Sequence, residues 1–355
     1  MSKLASILSD KDIVFFQADR MSLDPYFYEP FQDTDERFDT SVIFETDNSD
    51  TIRKVDIYDH SFFQYFLDGS RKTYKIGDII TKDNKFVPVV TGQLGAVCCH
   101  RNSQHRMEKY KSSLKYVLML YDSINEHDFE IIKKTFEGVH HKGVHIEVHE
   151  YSINKMKDEA PTNAAIAKIH KMMADEEVEM LKNMVSENVL DTNRMLAIDG
   201  SLQFLTQKYN PEIFYNVVGI SKSFNPNLTG VLKGKKHIGV LLSKLQFGQR
   251  TPVYKYENKK NTIGAWYLRI RERQNVKNPL EGVVKLEKMA LKENIDNDGF
   301  DTSLINNISS SILAERIPTC HGRDSRWANH LYPIYLTERY LKSSFLSDKH
   351  YINLF

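Results

Sequence analysis

From residue 61 onward, the chain becomes a series of short strand-like runs, 62–67, 73–80 and 86–90, punctuated by Asp-Gly, Gly-Asp and Asp-Asn pairs. That rhythm predicts an antiparallel meander of short strands. Residues 111–120 and 128–136 are expected to flank a helical excursion. After it, Val144, Ile146 and Val148 alternate with His145, Glu147 and His149 as on a strand. Between 162 and 189, Ala174, Val178, Leu181 and Val185 recur at helical spacing. Strand-like runs follow at 195–198, 214–220, 253–256, 265–270 and 283–286, and helices over about 303–317 and 331–345 close the chain. Residues 1–60 are rich in Asp, Ser and aromatic residues without a sustained period, and read as an N-terminal extension. The order predicts an α/β fold, a mixed sheet flanked by helices, with its body over 61–355.

Composition narrows the function classes. The 355 residues suffice for one large α/β domain or two ordinary ones. A net charge of +1, with 27% charged and 41% apolar residues, is the balance of a soluble globular protein. Any nucleic-acid surface must then be a local patch. Cys98, Cys99 and Cys320 have neither zinc-site nor disulfide-framework spacing, which suits a reducing compartment. The start, Met1-Ser2-Lys3-Leu4 running into Asp10-Lys11-Asp12, lacks a secretory apolar stretch and no run reaches membrane-spanning length. A cytoplasmic protein without a membrane partner is expected. The sequence has neither a phosphate-cradling Walker loop nor a Gly-x-Ser-x-Gly elbow.

The candidate chemistry lies in acids. Asp68-Gly69-Ser70 follows the apolar run 62–67, and Asp199-Gly200-Ser201 follows 195–198. Asp-Gly is a common turn pair at strand ends. The alternative reading is a pair of carboxylates anchored by a rigid sheet at its open edge, the placement a divalent ion requires, and the repeated Asp-Gly-Ser favours it. Two-metal phosphodiester hydrolysis needs further carboxylates around ions roughly 4 Å apart. The helix before Asp199 offers Asp175, Glu176, Glu177 and Glu179. Glu177 borders the apolar stripe of Met173, Leu181 and Met184, so its phase points it at the sheet, and the others read as a solvated face. The last helix offers His330 and, two turns on, Glu338, which on the alternative reading pairs with Arg339 or Lys342 at the surface.

These residues resemble the pattern of the NurA nucleases. That family carries an early Asp-Gly-Ser, a helix-borne Glu, a second Asp-Gly before a small residue and Leu, and a Lys on the next strand, which fall here on Asp68, Glu177, Asp199 and Lys222. Its C-terminal Tyr-Pro-x-Pro and Ala-His pattern falls on residues 330–338, where only Pro333 is unchanged; His330 replaces the Tyr and Glu338 the His. The resemblance spans roughly 62–345 and leaves out the first 60 residues and an insertion around 111–152. It implies an RNase H-like fold and a metal-dependent DNA nuclease, with Mn2+ or Mg2+ held by Asp68, Glu177, Asp199 and Glu338, and with Lys222 and His330 assisting. It further implies a homodimer docked on a HerA-type hexameric ATPase that feeds it DNA, in DNA end processing or antiphage defence. The rival readings are a catalytically silent RNase H-like module docking on an ATPase or nucleic acid, and a structural protein whose Asp-Gly pairs are turns.

Two other groups compete. His140, His141, His145 and His149 crowd one segment, but read better as one strand face than as metal ligands. The basic and aromatic residues Tyr254, Lys255, Lys259, Lys260, Trp266, Tyr267, Arg269, Arg271 and Arg273 could line a DNA channel, and His321, Arg323 and Arg326 could clamp a phosphate; ordinary structural or surface roles are the alternative.

Overall fold

The computed structural model describes residues 14–22, 38–58, 60–80, 84, 86–137, 143–153, 160–202, 209–224, 238–258, 261–320 and 327–355. Its strands are β1 (Val14–Ser22), β2 (Phe38–Ile43), β3 (Arg53–Lys54), β4 (Phe63–Ile80), β5 (Phe86–Arg101), β6 (Met107–Tyr121), β7 (Ile146–Tyr151), β8 (Met195–Asp199), β9 (Val217–Ser221), β10 (Gln249–Arg250), β11 (Tyr254–Asn258), β12 (Asn261–Arg269) and β13 (Val283–Met289). The longer helices are α1 (Glu126–Glu137), α2 (Pro161–Ser186), α3 (Thr302–Glu315) and α4 (Tyr332–Ser344). The strands form one mixed sheet in the order β2-β11-β12-β13-β9-β8-β4-β5-β6-β7, with β1 beside β4, and with β10 pairing β12 and β3. This is the expected α/β class.

Towards the β7 end, β4, β5 and β6 form an antiparallel meander, and β8 and β9 continue it in parallel from β4 towards the middle of the sheet. The faces follow from alternation. Leu67, Leu196 and Ile198 face α2 through Val178, Leu181 and Met184. Phe66, Ala197, Val218 and Ile220 face the other way, against Ile305, Ile308 and Ile312 of α3 and Ile334 of α4. Covered on both sides, β8 and β9 read as continuous apolar runs. The serines of α3 tie down the approach to β4: Ser310 Oγ accepts from Tyr58 N at 3.0 Å and Ser311 Oγ from Phe62 N at 3.2 Å, while Ser309 Oγ accepts from Trp266 Nε1 at 3.0 Å.

Three elements differ from the sequence pattern. The runs 62–67 and 73–80 belong to one 18-residue strand. Residues 111–120 lie inside β6 and only 126–137 is helical; the first part of β6 carries Lys and Ser on a partly exposed surface, and Val117, Leu118, Met119 and Leu120 near its end are buried in succession, so neither part shows strict alternation. Of the first 60 residues, β1 pairs with β4, β2 with β11 and β3 with β10. A buried Glu45, bonded by Arg250 at 2.5 and 3.1 Å, anchors that region. Among the described residues no helix is long and apolar enough to cross a membrane.

Candidate active site

Asp199 is the last residue of β8. Gly200 turns away from it with φ +108°, a conformation that strains any side-chain-bearing residue. Asp68 was expected to end a strand in the same way, and it does not: it lies inside β4, opposite Val97 of β5. The ladder to β8 nevertheless stops at Leu67–Ile198. Asp68 is therefore the first β4 residue beyond the reach of β8, and β5 on the other side keeps the strand going. The two aspartates meet where the parallel ladder ends, on the face covered by α4.

Glu177 arrives from the opposite face. It is buried, as the apolar stripe of α2 predicts, and its carboxylate lies over Gly69, where an added Cβ would come within 2.7 Å of Oε1. The missing side chain at Gly69 lets Glu177 reach the edge that Asp68 occupies from the other side. The neighbouring acids go elsewhere: Glu176 pairs with Lys115 at 2.8 Å, Asp175 accepts from Tyr209 Oη at 3.0 Å, and Glu179 pairs with Lys182 at 3.3 Å.

Lys222, one residue past the end of β9, closes the cluster. Its Nζ lies 2.6 Å from Asp199 Oδ2, 3.9 Å from Glu338 Oε2 and 3.4 Å from His330 Nδ1. Glu338, projecting from α4, also accepts from Lys342 at 2.5 Å. The fold thus brings Asp68, Glu177, Asp199, Lys222, His330 and Glu338 to one place.

Burial and crowding set the protonation. Asp68 is held well above the usual carboxylate range by burial first and then by Asp199, with Lys222 pulling the other way. Glu177 is pushed up to about 8, again by burial and then by Asp199. Burial disfavours the Lys222 ammonium, but Asp199, Asp68 and Glu338 more than offset it and raise its pKa. Burial likewise opposes the Glu338 carboxylate, which Lys222 and Lys342 nevertheless hold below the ordinary value. Among the described residues, Asp68 Oδ2 is buried without a hydrogen-bond partner, an expensive arrangement unless something else addresses that oxygen. Among the described residues no three carboxylate, imidazole or thiol groups stand ready to hold a metal ion; Asp199 and Glu338 are turned to the ammonium.

Two supporting residues escaped the sequence reading. Glu287 of β13, fully buried, accepts from Ser201 Oγ at 2.8 Å and Leu202 N at 2.7 Å and pairs with Lys285 at 2.7 Å, fixing the corner that follows Asp199. In the run Val-Val-Lys-Leu-Glu-Lys-Met, alternating charges imitate a solvent-facing strand; the only signal was a Lys and a Glu two apart, on one face. Glu287→Gln is expected to cost roughly 3 kcal/mol by removing one charged partner of a buried ion pair, and an unchanged urea midpoint would contradict that role. Asn329 donates to Lys222 O at 2.8 Å and accepts from Gly282 N at 2.6 Å, locking the backbone beside His330.

The other candidates do not join the cluster. Trp266, Tyr267, Arg269 and Arg271 are buried, and Arg269 spends its guanidinium on the carbonyls of Leu242, Pro279 and Glu281, so these four build the sheet rather than line a channel, while Arg273 is exposed away from the cluster and Lys255 pairs with Glu257 at 2.6 Å. His149 bonds Glu147 at 3.1 Å on an edge strand. His140, His141, Lys259, Lys260, His321, Arg323 and Arg326 lie outside the described residues.

The fold and site define a mixed α/β protein with a buried acid cluster at one sheet edge. Comparison with protein-family models gives no match, and comparison with curated proteins gives no significant match.

Proposed function

We propose that the chain is a divalent-metal-dependent DNA nuclease of RNase H-like fold, similar to NurA. The observation that carries this reading is the buried Asp68 Oδ2, unpartnered among the described residues, within a cluster of four carboxylates. Two of the four, Asp68 and Glu177, are held toward their protonated forms by burial first and then by the neighbouring Asp199, a cost that a bound cation would relieve. An all-oxygen donor set suits Mg2+ or Mn2+. The fold supports the reading too, since a meander bearing one acid on its first strand is continued by a parallel strand bearing the second.

Asp68, Glu177 and Asp199 would hold the metal, with Glu338 beside them. When bound, it would supply an activated water and charge stabilisation at phosphorus. Lys222 would steady the phosphate charge as a fixed ammonium. A new P–O bond forms from water, the bond to the leaving sugar oxygen breaks, and that oxygen takes up a proton. His330, hydrogen-bonded to Lys222 at 3.4 Å, is positioned to hold or move a proton there. A homodimer working with a HerA-type ATPase in DNA end processing or antiphage defence completes the proposal.

The test is cleavage of plasmid and linear DNA with Mn2+ or Mg2+, with and without a HerA-type ATPase. Metal-dependent cleavage is expected; none under any combination would leave a binding module. Gly69→Ala gives a finer check, because the new methyl must displace the Glu177 carboxylate, the mobile end of a side chain. Cleavage should fall at least about tenfold, with unfolding shifted by no more than roughly 1 kcal/mol. Full activity in that variant would remove Glu177 from the site.

A further inference from the structure

The acid cluster is lopsided. At one end, Lys222 Nζ is enclosed by Asp199 Oδ2 at 2.6 Å, His330 Nδ1 at 3.4 Å and Glu338 Oε2 at 3.9 Å. At the other, Asp68 Oδ2 is buried without a hydrogen-bond partner among the described residues, and Glu177 leans across Gly69. We infer that the site takes one divalent ion, at Asp68, Glu177 and Asp199, and that the Lys222 ammonium is a resident cation standing where a two-ion site would hold its second. The inference rests on the metal reading above and departs from the two-ion arrangement expected from the sequence.

Competition for the same oxygens supports it. Asp199 and Glu338 are already addressed by the Lys222 ammonium, at 2.6 and 3.9 Å, and Glu338 also pairs with Lys342 at 2.5 Å. A second ion, at the roughly 4 Å spacing of two-ion sites, would contend with Lys222 for Asp199 and Glu338. An ammonium can steady a leaving oxygen but does not make hydroxide from water, so water activation falls to the Asp68 end.

Equilibrium dialysis with Mn2+, read by electron paramagnetic resonance, counts the ions without requiring activity. The wild-type chain is expected to bind one. Lys222→Ala should bind two, or hold the first at least about tenfold more tightly, because the competing charge is gone. Lys222→Arg, which keeps the cation, should stay at one. Two ions per wild-type chain, or a Lys222→Ala variant that folds and matches wild type in both count and affinity, would overturn the inference. If Lys222→Ala does not fold, the wild-type and Lys222→Arg counts decide. A wild-type chain that binds no Mn2+ would overturn the metal reading itself.

Discussion

Asp68→Ala and Asp199→Ala are each expected to reduce the proposed metal-dependent cleavage by at least about 1,000-fold, and to move stability in opposite directions. Among the described residues the buried Asp68 Oδ2 has no hydrogen-bond partner, and burial first, then Asp199, disfavours its ionised form. Its removal takes away an unsatisfied buried polar group, so the apo protein should hold or gain stability. Asp199 is the nearest counter-charge of a buried lysine, at 2.6 Å. Its removal should cost roughly 1–3 kcal/mol, softened as Asp68 ionises in its place. Cleavage assays and urea unfolding on the same preparations check both halves. Wild-type cleavage by either variant removes that residue from the site, and equal destabilisation by the two would contradict the geometry around Lys222.

The second large effect belongs to Glu177. In the folded apo protein its carboxyl keeps its proton up to about pH 8, against 4.5 for the free group. Between those values the native state binds the extra proton, so this residue's contribution to stability falls as pH rises and is fully lost above about 8. The penalty is on the order of 3 kcal/mol at pH 7. Glu177→Gln should therefore unfold at higher denaturant than wild type at pH 7–8, with the gap closing towards pH 4, while cleavage is lost because the amide gives up the charge an ion needs. Glu176→Gln, which breaks the pair with Lys115, should keep cleavage. The reverse pattern would shift the site by one residue.

The residues show why parts of this were legible in the sequence. Asp199 ends a short strand buried on both faces, which produces an unbroken apolar run stopping at a turn pair. Glu177 was separable from Glu176 because α2 buries one stripe and a helix has one phase per residue. Asp68 looked like a turn because Asp-Gly usually is one; that β4 outruns β8 while staying paired to β5 is set by partners distant in sequence. Local chemistry could not reveal that exchange. The same holds for Arg269 and Trp266, whose basic and aromatic character suggested a DNA surface until neighbouring elements covered both. Glu287 was hidden for the converse reason, because buried charge that is internally paired has the sequence pattern of an exposed strand. The descent of the C-terminal segment onto Lys222 was foreseen only through resemblance, since nothing in a helical period says that Glu338 meets a lysine more than a hundred residues earlier.

The central claim is that the unpartnered oxygen of Asp68 is a metal ligand. The most direct measurement is anomalous scattering from crystals of the whole chain soaked in Mn2+. The account predicts a peak against Asp68 Oδ2 within about 2.3 Å, shared with Glu177 and Asp199. A peak elsewhere, or none at a concentration that supports cleavage, would contradict it.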